Sequence, residues 1–126
     1  MTEFLHIHHA SVVVADSQRA LGFYIDILGM RRDPSRPDLG FPGAWLRVGE
    51  QQIHLLEVKN PDTTVEGRPA HAGRDRHTAL QVRGLDELEQ RLENAGIPYT
   101  RSQSGRKAIF CRDPDGNGIE FVEVGS

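Results

Sequence analysis

A chain of 126 residues falls in the size range of one compact domain, and its 37% hydrophobic and 26% charged content is that of a soluble globular protein. The net charge of −3 argues against a general nucleic-acid or membrane-surface role, because both need a basic excess. No apolar run approaches membrane-spanning length, Met1-Thr2-Glu3-Phe4 does not lead from a basic region into an apolar one, and the single cysteine, Cys111, permits no intrachain disulfide. A cytoplasmic protein is the expectation.

Residues 5–14 read as a strand that ends in the β-branched run Val12-Val13-Val14. Asp16 is the N-cap of a helix carrying Ala20, Leu21, Phe23, Tyr24, Ile27 and Leu28 at helical spacing, with Gly29 at C′. A short strand over 30–33 precedes the turn-rich stretch 34–43. Segments 44–48 and 51–58 form a hairpin through Gly49-Glu50. Residues 59–75 are the longest polar segment, a linker or lid between two halves. The second half restarts the order with a strand over 77–83 and a helix presenting Leu85, Leu88 and Leu92 on one face. Gly96 ends that helix, Pro98 prevents its return, and strands follow over 99–103, 107–112 and 118–124. Asp113-Pro114-Asp115-Gly116-Asn117 is the turn between the last two, built from residues that suit turn geometry.

The halves also match in sequence. Ile53-His54-Leu55-Leu56-Glu57-Val58 shares Ile, Glu and Val in register with Ile119-Glu120-Phe121-Val122-Glu123-Val124. His9-Ala10-Ser11-Val12-Val13-Val14 answers His77-Thr78-Ala79-Leu80-Gln81-Val82. Such a period marks an internal duplication. The fold expected is α+β, with tandem βαβββ modules over about 5–58 and 76–124, joined by 59–75, in a single domain of 1–126.

Strand alternation then sorts the faces. Ala10, Val12 and Val14, Ile53 and Leu55, Thr78, Leu80 and Val82, and Ile119 and Phe121 share an apolar side that suits the two helices. The opposite side gathers His9, His54, His77 and Glu120 with Ser11, Gln52 and Gln81. A helix-packed face does not tolerate that set, since each unpaired buried polar group costs on the order of 1–3 kcal/mol. Three imidazoles and a carboxylate are ligands for a divalent ion, and a site with three or four protein ligands and open positions is catalytic in style. His9, His54, His77 and Glu120 are therefore the candidate metal ligands, and the repeat is what distinguishes them from His6, His8 and His71. Cys111 lies in an apolar run without an activating motif and reads as a packed thiol.

The pattern Ile7-His8-His9, then Asp16 through Phe23-Tyr24 to Leu28-Gly29-Met30, then Phe110, Asp113-Pro114-Asp115-Gly116-Asn117 and Ile119-Glu120, resembles the vicinal oxygen chelate superfamily. That superfamily includes glyoxalase I, methylmalonyl-CoA epimerase, fosfomycin-modifying enzymes, bleomycin-binding proteins and extradiol dioxygenases. The resemblance covers nearly the whole chain and implies paired βαβββ modules whose curved, mixed sheet surrounds a metal cavity, commonly in a homodimer. It implies the metal triad His9, His77 and Glu120, with His54 where glyoxalase I has a further ligand, usually Glu or Gln. If His54 binds, the set is three histidines and one glutamate; if not, it is two histidines and a carboxylate, as in iron dioxygenases. The leading expectation is a metal-dependent lyase or isomerase of glyoxalase type, using Zn, Ni, Co, Mn or Fe on a small substrate with two vicinal oxygens. The metal would stabilise an enediolate, with Glu120 or His54 as the catalytic acid and base. Arg74, Arg76, Arg106 and Lys107 are the cations available to an anionic substrate, although each reads as a solvated surface charge. The rival readings are an Fe(II)-dependent extradiol-type dioxygenase and a non-catalytic protein that binds an antibiotic or other small molecule.

Overall fold

A computed structural model describes residues 1–62 and 66–126, and in it each half of the chain builds its own four-stranded mixed sheet. The first module contributes β1 (His9–Val14), β2 (Arg31–Asp33), β3 (Gly43–Val48) and β4 (Gln51–Glu57), in the order β1-β4-β3-β2. The second contributes β5 (His77–Val82), β6 (Thr100–Arg101), β7 (Ala108–Arg112) and β8 (Gly118–Glu123), in the order β5-β8-β7-β6. β1 runs parallel to β4 and β5 parallel to β8, while the other pairs are antiparallel. A parallel pair needs a crossover, and the helices supply it. These are α1 (Ser17–Leu21), which continues into a π-helical turn over Gly22–Ile27, and α2 (Leu85–Asn94).

The registers of the two modules are the same. His9 lies opposite Gln52 and Ser11 opposite His54; His77 lies opposite Gly118 and Ala79 opposite Glu120. His54 and Glu120 therefore occupy one structural position, as the repeat predicts.

The apolar faces expected from alternation form one continuous core. Val14, Leu46, Ile53 and Leu55 of the first sheet meet Ala20, Phe23 and Tyr24, and the cluster runs on through Leu85, Leu88, Leu92, Ile109 and Phe121. Full burial of each large side chain contributes roughly 1.5–3 kcal/mol, so this cluster is what joins sheet to helix.

The Asp113–Asn117 turn pins the modules together. Asp113 Oδ1 accepts from the backbone N–H groups of Asp115 and Asn117, both at 2.9 Å. The buried Tyr24 hydroxyl donates to Asp113 Oδ2 at 2.8 Å, and Asn117 Nδ2 donates to the Val13 carbonyl at 3.0 Å. Gly116 adopts φ +84, a left-handed conformation that glycine reaches without strain.

Three details depart from the sequence reading. The first strand begins at His9, not at residue 5, and Phe4, Leu5 and Ile7 are exposed. The register explains this: His9 already faces Gln52, so the preceding residues run past the start of β4 at the Gly49-Glu50 turn. The first helix is α-helical for only five residues before it widens, with the Leu28 N–H reaching the Phe23 carbonyl at 3.0 Å. That widening leaves the consecutive Phe23 and Tyr24 both buried, edge to face at 5.1 Å. The single curved sheet is divided in two, with no ladder between β1 and β5 among the described residues. Of the segment 59–75, residues 63–65 lie outside the described residues, and Ala72–Arg74 form a 3-10 turn.

Candidate metal centre

The four predicted ligands stand as two pairs. In the second module, β5 and β8 bring His77 Nε2 to 3.2 Å from Glu120 Oε1. The His77 ring is oriented by its other nitrogen, because Nδ1 lies 2.8 Å from the Asp75 carbonyl oxygen, which only accepts. Nδ1 must therefore carry the proton, and in the neutral ring Nε2 is a bare acceptor facing a carboxylate oxygen. Either a proton on Nε2 or a metal ion would bridge that contact. Glu120 is only 3% exposed, and its second oxygen, Oε2, is buried without a hydrogen-bond partner among the described residues. Arg106 Nη2 lies 3.7 Å from that oxygen.

In the first module, His54 is sandwiched. Trp45 of β3 stacks on one side at 4.4 Å and 9°, and His9 of β1 on the other at 4.0 Å and 17°. His9 Nδ1 is 2.9 Å from His8 Nδ1, so one proton serves both. His54 Nε2 lies 2.8 Å from Gln52 Oε1, and Gln52 Nε2 donates to Asp33 Oδ2 at 2.8 Å. Partial burial holds the His54 pKa below its ordinary value, with the neighbouring His9, His8 and Arg36 acting in the same direction. The Asp33 carboxyl falls to about 2, chiefly through the hydrogen bond from the Ser35 hydroxyl, then through the Ser35 N–H and Gln52. His54 thus favours its neutral, ligand-ready form, and Asp33 is a fixed negative charge behind it.

Among the described residues, no group of three or more His, Cys, Asp or Glu side chains is gathered as a metal cluster. The chain brings His9 to His54 and His77 to Glu120, but does not unite the pairs. A cavity of about 300 Å³ lies beside β1 and β5, lined by Ser11, Val13, Asn60, Arg68, Arg76 and His77. That volume is at the small-molecule end of ligand sites. A larger one, about 570 Å³, borders Val14, Glu57, Lys59 and Asp115 and touches none of the four ligands.

The other candidates sort by contact. Arg76 pairs with Asp62, which also receives Arg68, and Lys107 Nζ lies 3.0 Å from Asp86. Arg106 alone among the four named cations reaches a predicted ligand. His71, unremarkable in sequence, sits with Nδ1 2.6 Å from Thr100 Oγ1 and its ring 4.8 Å from Phe110, which in turn meets His77 at 5.1 Å. Gln52 lies on the polar face expected from alternation, whereas Asp33, Trp45 and Phe110 join the site only through the strand registers. Cys111 is buried, and that burial pushes its thiol to about 12, so it is no nucleophile.

Comparison with known proteins identifies the family and the fold. The family model described as "Glyoxalase/Bleomycin resistance protein/Dioxygenase superfamily" matches residues 6–121. Glyoxylase I 4 of Arabidopsis thaliana is 30% identical, over 95% of this chain and 71% of its own length. Lactoylglutathione lyase of Salmonella typhimurium is 27% identical, over 95% of this chain and 93% of its own. Among solved structures, a Bacillus anthracis protein described as of the glyoxalase family superposes with a TM-score of 0.77 at 27% identity, covering 98% of each chain. An antibiotic-binding protein from Streptomyces sp. CB03234 shares the fold at a TM-score of 0.71 and 18% identity, covering 98% of each chain.

Proposed function

The chain belongs to the glyoxalase/bleomycin resistance protein/dioxygenase superfamily, and within it we propose a divalent-metal-dependent enzyme of glyoxalase type, a lyase or isomerase for a small substrate with two vicinal oxygens. The observation that carries this reading is the contact between His77 Nε2 and Glu120 Oε1 at 3.2 Å beside the orphaned Glu120 Oε2. A proton on Nε2 would satisfy one contact only. A divalent cation would be held by His77 Nε2 and the Glu120 carboxylate.

His9, His54, His77 and Glu120 are the residues that would hold the ion, drawn from Zn, Ni, Co, Mn and Fe. When bound, it supplies Lewis acidity to two adjacent substrate oxygens, which lowers the energy of an enediolate. Glu120, or His54 if it does not hold the ion, would take and return the proton on the carbon α to the carbonyl. The stacking of His54 between Trp45 and His9 fixes its ring plane for either role. Arg106 places positive charge beside Glu120 without occupying it.

Two ligands are fewer than a catalytic site uses. We infer that a homodimer supplies the remainder, with His9 and His54 of one copy completing the pair His77 and Glu120 of another. Mixing a His9→Ala/His54→Ala protein with a His77→Ala/Glu120→Ala protein tests this. Each is inactive alone, and the mixture is expected to regain activity. A mixture as inactive as its components refutes the shared site.

For the reaction, the metal-loaded protein is given the hemithioacetal of methylglyoxal and glutathione. Turnover with at least one of Zn, Ni, Co or Mn is expected, and none with all four ends the glyoxalase reading. Oxygen uptake with ferrous iron and a catechol would assign dioxygenase chemistry instead.

A further inference from the structure

We propose that Gln52, held by Asp33, is a positioning residue that fixes His54 as its Nε2–H tautomer and so leaves Nδ1 as the nitrogen that would bind a metal ion. The proposal deepens the metal reading above and rests on it for the role of His54, but not for the tautomer.

Asp33 is 6% exposed. Its Oδ1 accepts from the Ser35 N–H at 2.9 Å and the Ser35 hydroxyl at 2.7 Å. Arg47 Nη2 stands 3.6 Å away, so the group is a carboxylate and accepts only. The Gln52 amide must therefore present its NH₂ to Asp33 Oδ2, which leaves Oε1 as the end that meets His54. An amide oxygen cannot donate, so the proton in the contact to His54 belongs to Nε2. A neutral imidazole carries one N–H, and Nδ1 is left with its lone pair. Trp45 and His9 on the two faces of the ring hold its plane.

The second module shows what the device is for. Asp33 faces Trp45 and Trp45 faces His54; at the matching places Thr100 faces Phe110 and Phe110 faces Glu120. Gln52 lies opposite His9 as Gly118 lies opposite His77. The equivalents of Asp33 and Gln52 are thus Thr100 and Gly118, which build no such relay. None is needed there, because a carboxylate such as Glu120 has no tautomer to choose. A histidine in the same place does, and outer partners that orient a ligating histidine commonly fix its tautomer. His77 is oriented by the opposite nitrogen, so the two histidines present different atoms.

Long-range ¹H–¹⁵N NMR of the full-length protein tests this without metal or substrate, with His54 assigned by the loss of its signals in His54→Ala. The wild type is expected to carry the proton on Nε2 with Nδ1 bare. In Gln52→Leu the two tautomers mix, and Asp33→Asn, which frees the Gln52 amide to turn over, gives the same mixing. Zn²⁺ added to the wild type shifts Nδ1 and leaves Nε2–H in place, and Gln52→Leu binds Zn²⁺ about 10–100-fold more weakly. A proton on Nδ1 in the wild type, or a tautomer unaltered by Gln52→Leu, overturns the proposal while leaving the metal reading intact. Unaltered Zn²⁺ affinity in His54→Ala overturns His54 as a ligand, and the tautomer result stands apart from it.

Discussion

In the first module the residue opposite Ser11 is His54; in the second, the residue opposite Ala79 is Glu120, and the two are held in contrasting ways. His54 is half-buried between two rings and tied through Gln52 to a fixed carboxylate. Glu120 is buried, with one oxygen against His77 and the other without a hydrogen bond among the described residues. Duplication thus set where the side chains stand, and later divergence set what they can do there. The histidine side of the site is furnished with neighbours that define one form of the ring. On the carboxylate side, Oε2 has no hydrogen bond among the described residues and Arg106 stands 3.7 Å from it.

The largest expected effect separates these halves directly. Glu120→Gln keeps the shape of the side chain but removes both the charge and the proton acceptor, so activity should fall by roughly 10²–10⁴-fold in a steady-state assay. His54→Gln, the matching change in the first module, should cost less, since the half-buried histidine leaves no orphaned charge behind. Equal losses would make the halves functionally equivalent and the asymmetry merely structural.

Next is the tie between modules. Tyr24→Phe removes the hydroxyl that donates to Asp113 and leaves Oδ2 with Asn117 Nδ2 alone, at 2.8 Å. Urea denaturation should show a loss of about 1–2 kcal/mol. A neutral result would mean that the modules are joined by the apolar core and not by the turn.

Acid gives the smallest and broadest effect. Asp33 in the first module and Asp75 ahead of the second both have carboxyls lowered to about 2, the latter through hydrogen bonds from Arg112 and Arg68. The unfolded carboxyl sits near about 3.9, so between the two values the unfolded chain binds more protons. Their stabilisation is complete above about pH 4 and is lost as pH falls toward 2. Asp113 works in the other direction, because burial raises its carboxyl. Melting temperature followed against pH should drop through this window, and Asp33→Asn should flatten the drop. A wild-type profile that stays level contradicts the account.

The duplication, the polar face and the equivalence of His54 with Glu120 were legible in the sequence, because strand alternation and repeat spacing are local properties. The relay from Asp33 to Gln52 was not. Its members are 19 residues apart, and only the pairing of β2 with β3 and of β3 with β4 sets them side by side. Nor was the burial of Glu120, a charged residue that composition alone assigns to the surface. The helix pattern over 16–28 concealed its π-helical turn, since the same apolar residues suit either geometry until Phe23 and Tyr24 must both enter the core. The separation of the ligands into pairs was hidden because alternation tells which face a residue is on, not how far apart two sheets carry it.

Metal content tests the central claim, that the repeat divides a divalent-metal site into a histidine pair and a histidine–carboxylate pair. Elemental analysis of the purified wild type and of His9→Ala, His54→Ala, His77→Ala and Glu120→Ala should find a divalent ion stoichiometric with the wild-type chain and depleted in each variant, most deeply in His77→Ala and Glu120→Ala. A wild type that retains no ion after loading, or variants that retain it undiminished, would contradict the account.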